Sequence, residues 1–290
     1  DGVSLKFDYF SPDEKNRLSV FASAANTDRD SYYGPGTDPL KAYGKTTDLT
    51  AMGGAQYVHT FDKCFFMPSD LTAGLEYNRD RLKDNMWGYN RHTDQTVNIY
   101  SAFLQNEWKN DRWGILIGGR LDKHNMVDNV IFSPRANLRF NPTQNINLRL
   151  SYSSGFRAPQ AFDEDMHIEN VGGTVAMIER AKDLKEEKSQ SFSASADMYH
   201  RFGAFQTNLL IEGFYTRLTD VFVLGEPYDR GDGILVKTRS NGPGAKVMGL
   251  TLEGKVAYLS ILQIQAGLTL QRSRYDEPHK WHDDAPAEKK

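Results

Sequence analysis

Cysteine is almost missing from this chain. Cys64 stands alone, so no internal disulfide can form. It reads as a turn residue or a small hydrophobe, against a reactive role. Long hydrophobic runs are missing too. No stretch approaches the ~18 consecutive apolar residues that a membrane-crossing helix needs, and the mean hydropathy is −0.60. This excludes helical spans only. A barrel strand turns apolar side chains to lipid at alternate positions and is hydrophilic on average. An excess of positive charge is also lacking: Lys and Arg number 35 against 38 Asp and Glu, net −3, which speaks against a nucleic-acid partner. Hydrolase signatures are absent. None of the seven histidines lies in a Gly-x-Ser-x-Gly or His-Glu-x-x-His setting. No strand-to-helix step follows Gly53-Gly54 or Gly118-Gly119, so neither pair is a phosphate loop. An enzyme is not expected. The chain opens at Asp1 without a methionine or signal peptide and closes on A-P-A-E-K-K; both ends read as cuts.

What is present is alternation. Aromatic residues make up 12% of the chain, which suits strands and interfacial girdles but equally an aromatic-rich soluble β protein. The clearest stretch is Asn145 to Pro159, N-I-N-L-R-L-S-Y-S-S-G-F-R-A-P. Ile146, Leu148, Leu150 and Tyr152 share one parity; Asn147, Arg149, Ser151 and Ser153 share the other. Successive side chains on a strand point to opposite faces, so one face is apolar and the other polar with an arginine in its middle. A water-filled lumen accommodates such a face; a dry core does not.

The same two-faced pattern recurs along the chain. Leu5, Phe7 and Tyr9 share a face, then Leu18, Val20, Ala22 and Ala24, then Ala73, Leu75 and Tyr77. Trp113, Ile115, Ile117 and Leu121 follow, then Ala136, Leu138 and Phe140, then Phe192, Ala194, Ala196 and Met198. Met248, Leu250, Leu252, Val256 and Tyr258, and finally Ile264, Ala266, Leu268 and Leu270, close the series. Thr96 to Lys109 has blurred parity and is read as a strand from context; Phe205 to Val223 is read as one long strand. The reading predicts about twelve strands, mostly of roughly 9 to 14 residues, with no convincing helix. Short turns near 13, 65, 110, 142 (Asn141 to Gln144), 201 and 260 alternate with mostly longer loops. These are Ser31 to Lys45, Met86 to Asp94, one near 126, Arg157 to Lys185, Gly225 to Gly244, and one beyond 275. Outer-membrane barrels have this asymmetry, with short periplasmic turns and long external loops.

Several stretches, taken in order, resemble one family. S-Y-S-S-G-F-R-A-P is preceded by G-G-R-L-D (Gly118 to Asp122) and S-P-R-A-N-L-R-F (Ser133 to Phe140). It is followed by L-K-E-E-K-S (Leu184 to Ser189), F-Y-T-R-L-T-D-V-F and V-M-G-L-T-L-E. This series, covering roughly residues 90 to 272, resembles the barrel of TonB-dependent outer-membrane receptors; Glu186 stands where the family usually has proline. The resemblance implies an all-β, antiparallel up-and-down transmembrane barrel segment. It also implies a larger closed barrel of about twenty-two strands around a plug. Residues 1–290 would be part of that barrel, without plug, first strands or last few.

What the resemblance implies for function is energised uptake of a scarce metal complex: a ferric siderophore, haem, or a corrinoid such as vitamin B12. The implied partners are the TonB energy-coupling complex acting through the plug, outer-membrane lipids and the metal-chelate ligand. A passive porin or structural surface barrel is the alternative; a soluble carbohydrate-binding β domain is a third. The candidate ligand-contacting residues lie on the expected external loops. Tyr32, Tyr33, Trp87, Tyr89 and His92 could stack on a ligand macrocycle, or belong to the interfacial girdle or cover the mouth. Arg157 could meet an anionic ligand or pair with lumen carboxylates. Asp163, Glu164 and Asp165 with His167 could hold Ca²⁺, or form a solvated charge run. No resident cofactor is otherwise expected.

Overall fold

A computed structural model describes residues 1–32, 43–161, 166, 169–171, 174–231, 233–259 and 261–278. Twelve strands form one antiparallel sheet: β1 (Gly2–Phe10), β2 (Asn16–Tyr32), β3 (Tyr43–Cys64), β4 (Met67–Met86), β5 (Arg91–Lys109), β6 (Trp113–His124), β7 (Ile131–Thr143), β8 (Ile146–Arg157), β11 (Glu187–Phe202), β12 (Phe205–Thr219), β16 (Ala245–Tyr258) and β17 (Leu262–Tyr275). Each pairs with its neighbour in this order, an up-and-down meander with β1 and β17 at its edges. A second sheet is built from β9 (Glu169–Val171), β10 (Thr174–Arg180), β13 (Phe222–Leu224), β14 (Tyr228–Asp229) and β15 (Ile234–Asn241).

The register carries the expected parity from strand to strand. Leu150 lies opposite Leu138 on β7 and Ala194 on β11. Ala194 meets Gly213, Gly213 meets Leu250, and Leu250 meets Leu270. In the other direction Leu138 meets Ile115 and Ile115 meets Trp108, and the same parity is held by Leu75, Val20 and Phe7 on β4, β2 and β1. This face is bare: Leu150 is 55% exposed, Leu104 56% and Ile264 60%. No second sheet covers the Ile146–Leu148–Leu150 row among the described residues. A water-facing monomer does not leave so wide an apolar field open.

The opposite face is polar and carries ion pairs and hydrogen bonds between strands. Arg120 holds Glu76 at 2.6 Å and Asp122 at 2.8 Å, and Ser101 donates to Asp122 at 2.6 Å. Its few large apolar side chains cover glycines on adjacent strands. Phe21 lies over Gly54, Phe103 over Gly74 and Phe214 over Gly249. The blurred parity of β5 follows: Tyr100 and Leu104 face the bare side, whereas Val97 is buried and Phe103 caps a glycine.

Two rows of rings bound the apolar band. At the short-turn end Trp113 stacks on Phe140 at 4.2 Å and Phe66 on Trp108 at 5.7 Å. At the other end Tyr77 meets Tyr100 at 4.9 Å and Tyr152 meets Phe192 at 4.8 Å.

The structure corrects several boundaries. Met86 to Asp94 is not an exposed loop. β4 runs to Met86, a 3-10 turn spans Trp87–Tyr89, and β5 begins at Arg91. The inward positions of the β4 tip, Leu82, Asp84 and Met86, are buried and mix charge with apolar residues, so the periodic signal ends before the strand does. Arg157 to Lys185 and Gly225 to Gly244 are not plain loops, since each supplies strands to the second sheet. The strand expected over Phe205 to Val223 breaks at Asp220, which takes the left-handed conformation (φ 54°). The turn expected at Asn141 to Gln144 begins later; β7 continues to Thr143, with a register shift between Phe140 and Thr143 that accommodates Pro142. Asn110 does make a tight turn, its side-chain oxygen accepting from the backbone N–H of Arg112 (2.9 Å) and Trp113 (2.7 Å).

Candidate ligand-facing mouth

At the long-connection end the second sheet leans on the polar-face side of β5. Its centre is a parallel pair, β10 with β15, from Val175 opposite Ile234 to Arg180 opposite Arg239. Each strand comes from a different long connection, so the two connections form one folded unit. Asn241 ties them again: its side-chain oxygen accepts from the Lys185 N–H (2.8 Å), and its nitrogen donates to the carbonyls of Lys185 (3.0 Å) and Asp220 (2.8 Å).

The unit docks through apolar and charged contacts. Met86 and Tyr89 pack with Met177 and Ile234 in a buried cluster. Arg180 donates to the side-chain oxygen of Gln95 at 2.6 Å and to the Pro159 carbonyl at 3.1 Å, and the Ala161 N–H reaches the same Gln95 oxygen at 2.9 Å. Arg91 bridges Asp84 (2.8 Å) and the Met166 carbonyl (2.9 Å). Arg230 donates to the Tyr89 carbonyl at 3.0 Å. Arg91 and Gln95 share the parity of Ser101, so the unit lies across the entrance to the polar side.

The candidate residues are placed differently from one another. Tyr89 is buried under this unit, and burial raises its phenol above the ordinary range. Trp87 is 55% exposed. Tyr32 packs edge-on against Tyr43 at 5.1 Å. His92 shares its strand face with Tyr100, away from the polar side, and contacts Asn85 at 2.9 Å. Arg157 stacks over Phe222 at 5.3 Å and so meets β13 of the second sheet. Tyr33, Asp163, Glu164, Asp165 and His167 lie outside the described residues. Among the described residues no group of three or more His, Cys, Asp or Glu side chains converges to hold a metal.

Sequence reasoning missed Gln95, Arg91, Arg180, Asn241 and His124. His124 is fully buried, accepts the Met126 N–H at Nδ1 (3.0 Å) and contacts Gln160 at 3.2 Å; burial lowers its pKa. No periodicity marks these positions. Two carboxylates add a further feature above the Tyr77–Tyr100 ring pair, where the lipid-facing part of β4 has ended. Asp80 lies diagonally across from Asp48, and burial together with the Asp48 charge pushes it up to about 6.

A one-sheet antiparallel wall with a bare apolar band, ring girdles, a polar opposite face and folded outer connections defines an outer-membrane-type barrel wall. The family model described as TonB dependent receptor-like, beta-barrel matches residues 2–289, and the chain belongs to that family. It is an outer-membrane protein. No curated protein matches the sequence. Among solved structures, the siderophore receptor PirA from Acinetobacter baumannii is 16% identical, with a TM-score of 0.71 over 96% of this chain and 45% of that one. A ferric enterobactin receptor (PfeA) mutant from Pseudomonas aeruginosa is 19% identical, TM-score 0.71, over 93% and 43%. The outer membrane transporter YddB from Escherichia coli is 12% identical, TM-score 0.70, over 96% and 42%. The chain thus spans about half, or less, of the length of these structures.

Proposed function

We propose that this chain is part of the barrel of a receptor that takes up a scarce iron chelate, a ferric siderophore first among the candidates. In this reading the chain works with a plug domain and with the TonB complex that supplies energy. Family membership supports the receptor class, and the siderophore receptors among the structural neighbours favour that ligand over haem or a corrinoid. The observation that carries the reading is the second sheet. A passive pore needs an open mouth, whereas two connections paired as β10 and β15 and held on Gln95 and Arg91 suit capture of a large solute.

Deleting Ala161 to Val171 removes the Ala161–Gln95 and Met166–Arg91 contacts and β9 while leaving the twelve-stranded sheet. The variant is expected to insert into the outer membrane normally and to bind the chelate at least about tenfold more weakly. Radiolabelled iron carried by a panel of siderophores, competed with haem and cobalamin, reads both affinity and ligand class. Unchanged affinity removes this connection from the site. Energy-independent flux of small sugars through the intact protein in liposomes would replace uptake with a porin function.

A further inference from the structure

Asn241 is followed by Gly242, the only Asn-Gly pair in the chain. Glycine is a packing requirement here. A Cβ on Gly242 would lie 2.7 and 2.8 Å from the two Cγ atoms of Val223, and a β-branched side chain is stiff at χ1. The fit of β13 against the end of β15, where Phe222 lies opposite Asn241, therefore imposes the pair.

An asparagine side chain next to glycine can close on its own backbone, because no side chain shields the glycine nitrogen. The Gly242 nitrogen attacks Asn241 Cγ. A new C–N bond closes a cyclic imide, and the bond from Cγ to Nδ2 breaks. Nδ2 leaves as ammonia with the proton of the Gly242 N–H. Water then opens the imide at either carbonyl and gives aspartate or isoaspartate. Water is the only co-reactant.

With the second sheet docked, every group in that step is held. Oδ1 of Asn241 accepts from the Lys185 N–H at 2.8 Å, and Nδ2 donates to the carbonyls of Lys185 (3.0 Å) and Asp220 (2.8 Å). The Gly242 N–H donates to the Val221 carbonyl at 2.7 Å. Asn241 ends a strand, and the extended backbone lacks the bend that the imide needs. Asn241 and Gly242 are both half-buried, so water reaches them once these contacts part.

We propose that Asn241 is a deamidation site gated by the second sheet: the docked sheet keeps the amide intact, and each opening exposes it to ring closure. The product cannot relatch. An ionised aspartate only accepts hydrogen bonds, so it has nothing to donate to the Lys185 and Asp220 carbonyls. Isoaspartate adds a methylene to the backbone and displaces Gly242 from Val221 and Val223. Deamidation is thus a one-way release of β15 from Lys185 and β13, and it accumulates with the number of openings. Loss of ligand capture follows on the receptor reading proposed above; the chemistry at Asn241 does not depend on that reading.

The test incubates the full receptor at neutral pH, folded in detergent micelles or unfolded in urea. Mass spectrometry of the peptide spanning Asn241 separates the Asn, Asp and isoAsp forms. The unfolded chain should convert at least about tenfold faster than the folded one. Q95A removes the anchor of Arg180 and Ala161 and should convert at a rate between the two. N241D should insert normally and exchange amide hydrogens faster in residues 174–180 and 234–241. It should also bind the iron chelate at least about tenfold more weakly. Equal conversion in the folded and unfolded receptor overturns the gating, as does a wild-type rate in Q95A. Unchanged exchange in N241D overturns the release. Receptor recovered from ageing cells with neither Asp nor isoAsp at position 241 overturns the site itself. A wild type that binds no chelate removes the receptor reading alone, since conversion and exchange are read without ligand.

Discussion

Single residues on the polar face are constrained by their cross-strand partners. A Cβ on Gly54 would lie 2.7 Å from the Phe21 ring and 2.8 Å from the Leu75 carbonyl oxygen; one on Gly254, on the outward face of β16, would meet nothing within 4 Å. The ring can yield but the carbonyl cannot. Gly54→Ala should therefore cost about 1–3 kcal/mol, and Gly254→Ala no more than about 0.5 kcal/mol, measured by urea unfolding in lipid vesicles. The Asp80–Asp48 pair predicts a pH effect. Asp80 is raised to about 6, above the ordinary carboxylate value, so the folded state binds the proton more tightly than the unfolded chain. Stability then rises as pH falls from about 7 toward 4 through this pair, opposite to a salt-bridged acid. Asp80→Asn removes the repulsion and should stabilise the strand tips at pH 7 and change little at pH 4, seen as slower amide exchange near residue 80 at neutral pH only. Faster exchange at pH 7 would show that the charge is needed there. Neither effect is legible in the sequence, because Gly54 and Gly254 look alike until register gives one a phenylalanine neighbour.

At the scale of elements, strands were legible where one face meets an apolar medium. β8 is the clear case: Ile146 to Tyr152 alternate, and the register keeps that parity across both neighbours. The tips of β3, β4 and β5 were not legible, since polar residues such as Thr46, Asp84 and Gln95 occupy buried positions there beside the apolar ones. β10 and β15 were hidden for another reason. Their pairing is parallel and joins segments far apart in the chain, and no local pattern encodes a distant partner. Asn241 is the side chain that fixes the two connections together. Asn241→Ala deletes three hydrogen bonds in a partly solvated setting, worth about 1 kcal/mol or slightly more. Hydrogen exchange should quicken in residues 174–180 and 234–241 together, with the twelve-stranded sheet unaffected. Acceleration confined to one segment would mean that the second sheet is not a single cooperative unit.

For the whole molecule, the chain itself settled the architecture. A period of two, repeated with apolar residues on one parity and polar ones on the other, suffices for a wall between oil and water, because each strand reports its own two environments. The ordered receptor-like stretches, from Gly118 to Asp122 through to the Val247 to Glu253 strand, carried the family. Assembly alone decided which residues meet. Tyr89, an exposed aromatic on the sequence reading, is buried beneath Met177 and Ile234. Gln95 and Asn241, unremarked in the sequence, hold the mouth. Alternation is a local property that each strand carries by itself; a contact depends on pairing offset and chain crossing, which exist only once the sheet has formed.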